Sequence, residues 1–176
     1  MAWEFSDDVE AYAERVWDLL TATPAENTVA LTVVDNVRAG RQRSTGPMLF
    51  GWYAAGPTAG AVSMTPPYEL LLAFVPDEGV DELVAAIRDR LPDLRGIHAE
   101  DTTAERFTAA WTAAGPLRAT TKHRLRLYAL DTLLQPTRSE GRARQAGEAD
   151  YDVALSWFTE FQREVDAGPT ANVASV

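Results

Sequence analysis

The chain has 176 residues, enough for one sizeable core or for a domain with an appendage. Its 16 Lys and Arg against 26 Asp and Glu give a formal net charge of −10, which opposes binding to nucleic acid or to an anionic membrane. Because cysteine is absent, disulfide scaffolds, zinc–thiolate sites and thiol catalysis are excluded. Neither a signal peptide nor a membrane-spanning apolar run is recognisable, so we expect a cytoplasmic protein.

Two helices are predicted at the start of the chain. Ser6 followed by Asp7 and Asp8 is typical of a helix start, and apolar residues at helical spacing continue the pattern to about residue 22. A second helix start follows at Thr23, which has Glu26 at the spacing of a capping box. The second helix is predicted to end at Gly40.

A group of strands and helices is predicted next. Strands are expected at 48–54, 58–65 and 68–75, followed by a helix at 77–91 and a short strand at 96–99. A capping box of Thr102 and Glu105 predicts another helix. Trp111 follows Phe107 by four residues, so we expect both on the buried face of that helix.

The last third of the chain has a different pattern. Residues 117–130, "LRATTKHRLRLYAL", alternate in character and predict a half-buried antiparallel strand. After a stretch typical of a linker, a brief strand is predicted at 142–145 and a helix from about Gly147. One face of that helix is unusually aromatic and comprises Ala154, Trp157, Phe158, Phe161 and Val165. The residues after 167 are expected to be loose.

The turn between the third predicted strand and the following helix, "VPDEGV" at 75–80, raises a question of charge. A helix N-terminus attracts anions through its free N–H groups and its dipole, and strand–turn–helix units often hold a phosphate there. Here Asp77 and Glu78 supply negative charge from within the chain. We therefore expect this turn to be closed to a phosphate group.

The order of these elements resembles the GNAT acetyltransferase fold without a clear first strand. The stretches "PAENT", "LFGWYAAGPTAGAVSMTPPYELLL" and "RLRLYALDTLLQP", together with Ala104 and Phe107 leading to Trp111, are similar to the N-terminal lobe of two-lobed actinobacterial GNAT proteins. The resemblance covers most of residues 5–145. It implies an α/β (α+β) fold with a mixed, mostly antiparallel central sheet flanked by helices.

The resemblance also implies a domain organisation. A degenerate GNAT-like lobe would occupy residues 1–135, with a linker at 136–141. Residues 142–166 would form the strand and helix that begin a second lobe, and 167–176 a flexible tail. The chain would then be a fragment of a longer enzyme.

In an active GNAT lobe, the turn after the fourth strand carries Arg or Gln and spaced glycines that cradle the pyrophosphate of acetyl-CoA. The turn at 75–80 has one glycine and two acids, so we expect no catalytic, cofactor-binding or metal-binding residue in this chain. The resemblance implies the non-catalytic N-terminal lobe of an N-acetyltransferase, whose cosubstrate would be acetyl-CoA and whose acceptor would be a small-molecule amine. The alternative is a stand-alone small-ligand-binding or dimerisation module derived from the same fold.

Six residues are candidates for contacts with a substrate or a partner. Thr65 and Tyr68 flank two prolines in a loop that is either a rigid turn, which we favour, or a substrate wall. His98 ends a short strand and is a weak candidate base, whereas His123 is interpreted as an ordinary strand residue. The aromatic face with Trp157, Phe158 and Phe161 is either core or a surface for a second GNAT lobe or a homodimer, and we expect a homodimer.

Overall fold

The computed structural model describes residues 2–54, 57–113, 115–137 and 140–165. The chain divides into two units, and the boundary along the sequence lies between Leu130 and Asp131. The first unit contains five strands: β1 (Ala2–Ser6), β2 (Leu49–Ala54), β3 (Thr58–Met64), β4 (Leu70–Phe74) and β5 (Ile97–Ala99). Its helices are α1 (Val9–Ala22), α2 (Thr28–Arg38), α3 (Val80–Arg90) and α4 (Asp101–Ala113). The second unit contains α5 (Tyr151–Val165). Among the described residues, no helix is both long and apolar enough to cross a bilayer.

The five strands form one sheet in the order β1-β2-β3-β4-β5. Each pair from β1 to β4 is antiparallel, and β5 joins β4 in parallel, with Leu72 opposite Ala99. This mixed, mostly antiparallel sheet with flanking helices confirms the predicted fold class. Ala73 lies at a bulge, because Ala61 pairs with Phe74 whereas Val62 pairs with Leu72. Because β5 ends at Ala99, opposite Leu72, the last two residues of β4 extend past the end of β5.

The helices cover the two faces of the sheet and create two separate cores. Adjacent strand residues point to opposite faces, so Trp52 packs under α1 and α2 while Tyr53 packs under α3. The α1–α2 side buries Tyr12, Val16, Leu20, Val34 and Phe50. The α3–α4 side buries Trp3, Val62, Leu70, Leu72, Leu83, Ile87 and Phe107. Each large side chain fully buried in this way stabilises the fold by about 1.5–3 kcal/mol.

The chain begins with a strand that the sequence did not predict. Ser6 is the last residue of β1, and its Oγ accepts a hydrogen bond from the Asp8 N–H at 3.0 Å. Asp8 is the N-cap of α1, where its carboxylate accepts from the Glu10 N–H at 2.8 Å. The helix start is thus two residues later than Ser6, which leaves five residues free to pair with β2.

Both predicted capping boxes are wrong. Residues 23–27 form a turn, and α2 begins after Asn27, whose side-chain amide donates to the Leu20 carbonyl at 3.1 Å. In α4 the free N–H groups are taken by Glu100, whose carboxylate accepts from the Thr103 N–H at 3.1 Å. Hydrogen bonds from the N–H groups of Thr102 and Thr103 lower the pKa of Glu100. Glu100 thus takes the place of the expected cap in α4, whereas the Thr23 hydroxyl accepts from the Asn27 side-chain amide at 3.0 Å.

The strands predicted at 117–130 and 142–145 are also wrong. Residues 117–130, which we call the arm, are all described and contain no strand, and every one of them is exposed. Leu125 is 79% exposed and Tyr128 is 81% exposed, so neither face of the alternating pattern is covered. A strand requires a neighbour for its backbone groups, and alternation alone does not provide one.

In the second unit, α5 begins after a 3-10 turn at Glu148–Asp150. The Asp150 carboxylate accepts from the Gly147 N–H at 2.9 Å and from both Arg144 amino groups at 2.7 Å. These bonds, with that of Arg144 contributing most, lower the pKa of Asp150 to about 2. The tail predicted at 167–176 lies outside the described residues.

Trp111 is partly buried and not a full member of the core. Its ring stacks on Phe107 at 5.7 Å between centroids, and the Arg88 guanidinium lies 4.7 Å from its ring centroid. Phe107→Ala should lower the free energy of unfolding by about 3–5 kcal/mol, and Trp111→Ala by roughly half as much. Urea unfolding of both variants measures this. Equal losses would mean that Trp111 is fully buried in solution.

The N-terminus of α5 should respond to acid. The pKa of Asp150 is lowered from its usual 3.8 to about 2, so its contribution is complete above about pH 4 and is lost as the pH falls through 2. Circular dichroism between pH 5 and pH 1.5 should show a loss of helix in this range, and Asp150→Asn should remove that step. If the Asp150→Asn variant loses helix over the same pH range as the wild type, the loss does not come from protonation of Asp150.

Candidate functional site

The strand–turn–helix that resembles a phosphate site lies between β4 and α3. After Phe74 the chain passes through Pro76 into a 3-10 turn at Asp77–Gly79, and α3 follows at Val80. Asp77 forms an ion pair with Arg106 of α4. The positive charge of Arg106 beside this helix start is therefore engaged by a carboxylate of the chain itself.

Trp3 of β1 fills the space beside this turn. Its indole Nε1–H donates to the Gly79 carbonyl at 2.8 Å, and its backbone N–H donates to the Glu82 carboxylate at 2.9 Å. Trp3 is 7% exposed. A Cβ atom added at Gly79 would lie 3.2 Å from Trp3 Nε1 and 3.2 Å from Pro76 Cγ, so the one glycine of the turn serves close packing.

The electrostatic environment of the α3 start is negative. Four acids, Asp77, Glu78, Asp81 and Glu82, lie on the turn and the first turn of the helix. Burial, together with the Glu82 and Glu78 carboxylates, raises the pKa of the neighbouring Tyr53. A diphosphate at this helix start would therefore meet negative charge from the chain itself and the neighbouring Trp3 ring.

The predicted site residues Thr65 and Tyr68 belong to one turn. The Pro66–Pro67 peptide is cis, and the Tyr68 N–H donates to the Thr65 carbonyl at 3.1 Å, as in a type VI turn. The Ser44 hydroxyl donates to the Pro66 carbonyl at 3.0 Å. Thr65 is buried, so it cannot line a substrate wall, whereas Tyr68 is 63% exposed.

Tyr68 borders a shallow pocket of about 370 Å³ at the beginning of β4 and the end of α3. Its floor is apolar and includes Met64, Leu91 and Leu94, and its rim carries Glu69, Arg90, Asp93 and Arg95. The pocket thus lies at the opposite end of β4 from the turn at 75–80. It is a candidate site for a small ligand, and sequence reasoning found only Tyr68 of its residues.

His98 is exposed on β5, opposite Leu71 of β4, and is not among the residues that line this pocket. Within residues 2–54, 57–113, 115–137 and 140–165, no three His, Asp or Glu side chains are grouped as metal ligands.

The remaining predicted residues lie on α5 of the second unit. Trp157, Phe158 and Phe161 are 71%, 44% and 56% exposed, so within their own unit they do not form a core. Trp157 and Ala154 line a second shallow pocket, of about 390 Å³, together with Arg142, Ala143, Arg144 and Ala146. The aromatic face is thus available for contact with another protein surface.

The contacts that close the α3 start involve residues that sequence reasoning missed. Trp3, Glu82 and Arg106 are separated along the chain by up to 103 positions, and none stands in a recognisable motif. The only sequence signal for these contacts was the pair of acids, Asp77 and Glu78, in the turn. The other contacts at the α3 start form because β1 and α4 pack against α3.

Searches against known protein families, curated protein sequences and solved structures find no match to this chain. The functional assignment therefore depends on the residues and contacts described above.

Acetyl-CoA should not bind at the turn at 75–80, because Trp3 and four acids occupy the space and the field that a pyrophosphate needs. Calorimetric titration of the wild type with acetyl-CoA should give no heat of binding above that of dilution. Micromolar affinity that is altered by Asp77→Arg, and not by a matched exposed change such as Asp18→Arg, would contradict this prediction.

Proposed function

We propose that this chain is the non-catalytic N-terminal lobe of a two-lobed GNAT-type N-acetyltransferase. In such an enzyme acetyl-CoA binds to the second lobe, and the acetyl group passes to a small-molecule amine. The observation that carries the proposal is the start of α3, where Trp3, Asp77 and Glu82 fill the position of a phosphate cradle. A lobe with this turn can support a catalytic partner without itself binding the cofactor there.

The order of elements supports the GNAT-like part of the proposal. The sequence resembles this fold except for its first strand, and β1 supplies a strand at that place. The turn at 75–80 directly follows β4, the fourth strand, and this order supports its comparison with the cofactor turn of the resemblance. The residues that begin a second lobe in the resemblance include α5.

The alternative function is a stand-alone module that binds a small ligand or dimerises. The pocket beside Tyr68 favours it, because an apolar floor with charged groups at the rim is typical of small-molecule sites. The natural reading frame past residue 176 discriminates between the two proposals. A strand followed by a turn with Arg or Gln and spaced glycines supports the two-lobed enzyme, whereas a stop codon favours the module.

The partner surface in either case is the aromatic face of α5, which a second GNAT lobe or a second copy would cover. Each large aromatic contributes about 1.5–3 kcal/mol when buried, so Trp157→Ser with Phe161→Ser should weaken self-association of this chain by more than about tenfold. Sedimentation equilibrium over a range of concentrations measures the change. Asp152→Ser with Arg163→Ser, also exposed on α5, is the matched control and should behave as the wild type. Identical association of the wild type and the aromatic variant would exclude the face as an interface between copies.

A further inference from the structure

The β5 edge of the sheet is open and has an acid near each end. Among the residues that the structure describes, β5 pairs with β4 alone, so one side of its backbone has no strand neighbour. Glu69 lies at the beginning of β5, because a Cβ atom added at Gly96 would be 3.1 Å from Glu69 Cγ, and Asp101 follows the end of β5 by two residues. We call Glu69 and Asp101 the edge acids. An open strand edge is a template for pairing with a strand of another molecule.

The arm of the same chain lies beside this edge. Lys122 Nζ is 3.9 Å from Glu69 Oε1, and Arg124 Nη1 is 3.9 Å from Asp101 Oδ2. Both are contacts within one chain, and they place the middle of the arm next to both edge acids. Lys122 precedes Arg124 in the arm, just as the Glu69 end of β5 precedes the Asp101 end, so the arm runs in the same direction as β5.

The path of the chain through α4 explains why the arm arrives at its own edge. Arg106 pairs with Asp77 at the start of α3, and Arg88 near the end of α3 donates to the Trp111 carbonyl, so α4 runs alongside α3 in the same direction. The end of α3 lies beside Glu69, because both border the same pocket. Therefore α4 returns the chain toward the beginning of β5, and eight residues then lead to the first ion pair of the arm. A tether this short keeps the arm at a high local concentration at its own edge.

The arm matches the edge acids in charge, and its contact with them can open. It contains Arg118, Lys122, Arg124 and Arg126 and no acid, in a chain whose net charge is −10. Every residue of the arm is exposed, and none belongs to a strand. The side chains of the two ion pairs are 49–76% exposed, and the attraction between charges this exposed is weak and is screened by salt.

We propose that the arm is a strap, held by the edge acids along the β5 edge of its own chain, and that it keeps this edge from pairing with a strand of another molecule. A covering loop and cations along an edge are two ways in which proteins prevent association through open strands. When salt or a change of charge weakens the attraction, the strap leaves and the edge becomes available. This inference does not depend on the GNAT-like function.

A spin label in the arm tests whether the arm lies at its own edge. All variants carry Trp157→Ser and Phe161→Ser, so that the α5 face does not contribute to association. His123→Cys supplies the single thiol of the chain, between the two cations of the ion pairs, for a nitroxide. In dilute protein at low salt, the label should broaden the NMR amide signals of residues 97–99, and a high salt concentration should reduce this broadening.

A charge swap within one chain shows whether the ion pairs hold the arm. Lys122→Glu with Arg124→Glu should remove the broadening, and adding Glu69→Lys with Asp101→Lys to the same chain should restore it. The matched control, Arg43→Glu with Arg142→Glu, should leave it unchanged. Broadening that survives the two changes in the arm would overturn the proposal. So would broadening in an isotope-labelled protein without the nitroxide when it is mixed with the spin-labelled protein, because the arm would then lie at the edge of another copy.

Self-association measures what the strap prevents. In the same background without the thiol, Lys122→Glu with Arg124→Glu should self-associate roughly tenfold more strongly than Arg43→Glu with Arg142→Glu, because the two surface ion pairs no longer hold the arm. Both variants have the same net charge, so general repulsion between molecules is equal. The protein with all four charges exchanged in one chain should associate as the background protein does. Sedimentation equilibrium measures these differences, and equal association of the arm variant and its control would show that the arm does not guard the edge.

Discussion

The hydrogen bond from the Trp3 indole to the Gly79 carbonyl joins the first strand to the start of α3, and the arrangement of the α3–α4 face depends on it. Trp3 extends from β1 across Tyr53 of β2, with 5.4 Å between ring centroids, and over Gly60 of β3. A Cβ atom at Gly60 would lie 2.8 Å from Trp3 Cη2, so the ring lies flat only because that position has no side chain. A buried indole N–H without a partner would cost about 1–3 kcal/mol, and the Gly79 carbonyl removes this cost.

This contact has a direct consequence for chemistry. A strand–turn–helix can bind an anion only if its N–H groups and its dipole face open space. Here the side chain of Trp3 packs against Gly79 of the turn, the Glu82 carboxylate accepts from the Trp3 backbone N–H, and Asp77 pairs with Arg106. Most of the exposed large apolar side chains lie on the arm and on α5, although Phe74 beside the turn is also exposed.

Local patterns predicted much of the fold but little of the site. The strands at β2, β3 and β4 and the helices α1 and α3 follow from apolar periodicity, which burial reinforces. The capping box at Thr23 failed because the Thr23 hydroxyl accepts from the Asn27 side-chain amide, and the one at Thr102 failed because Glu100 caps α4 first. The strand predicted for the arm failed because periodicity does not identify a pairing partner. The closure by Trp3 joins residues 76 positions apart and could not be predicted from either segment alone.

Hydrogen exchange of the tryptophan indole N–H groups, followed by NMR, tests the central claim most directly. The Trp3 indole should exchange as slowly as the backbone amides in the middle of β2 and β3, because its release requires β1 to separate from α3. The indole of Trp157, which is 71% exposed, is an internal reference for rapid exchange. Exchange of Trp3 at a rate close to that of Trp157 would mean that the start of α3 is open in solution, and would contradict the account.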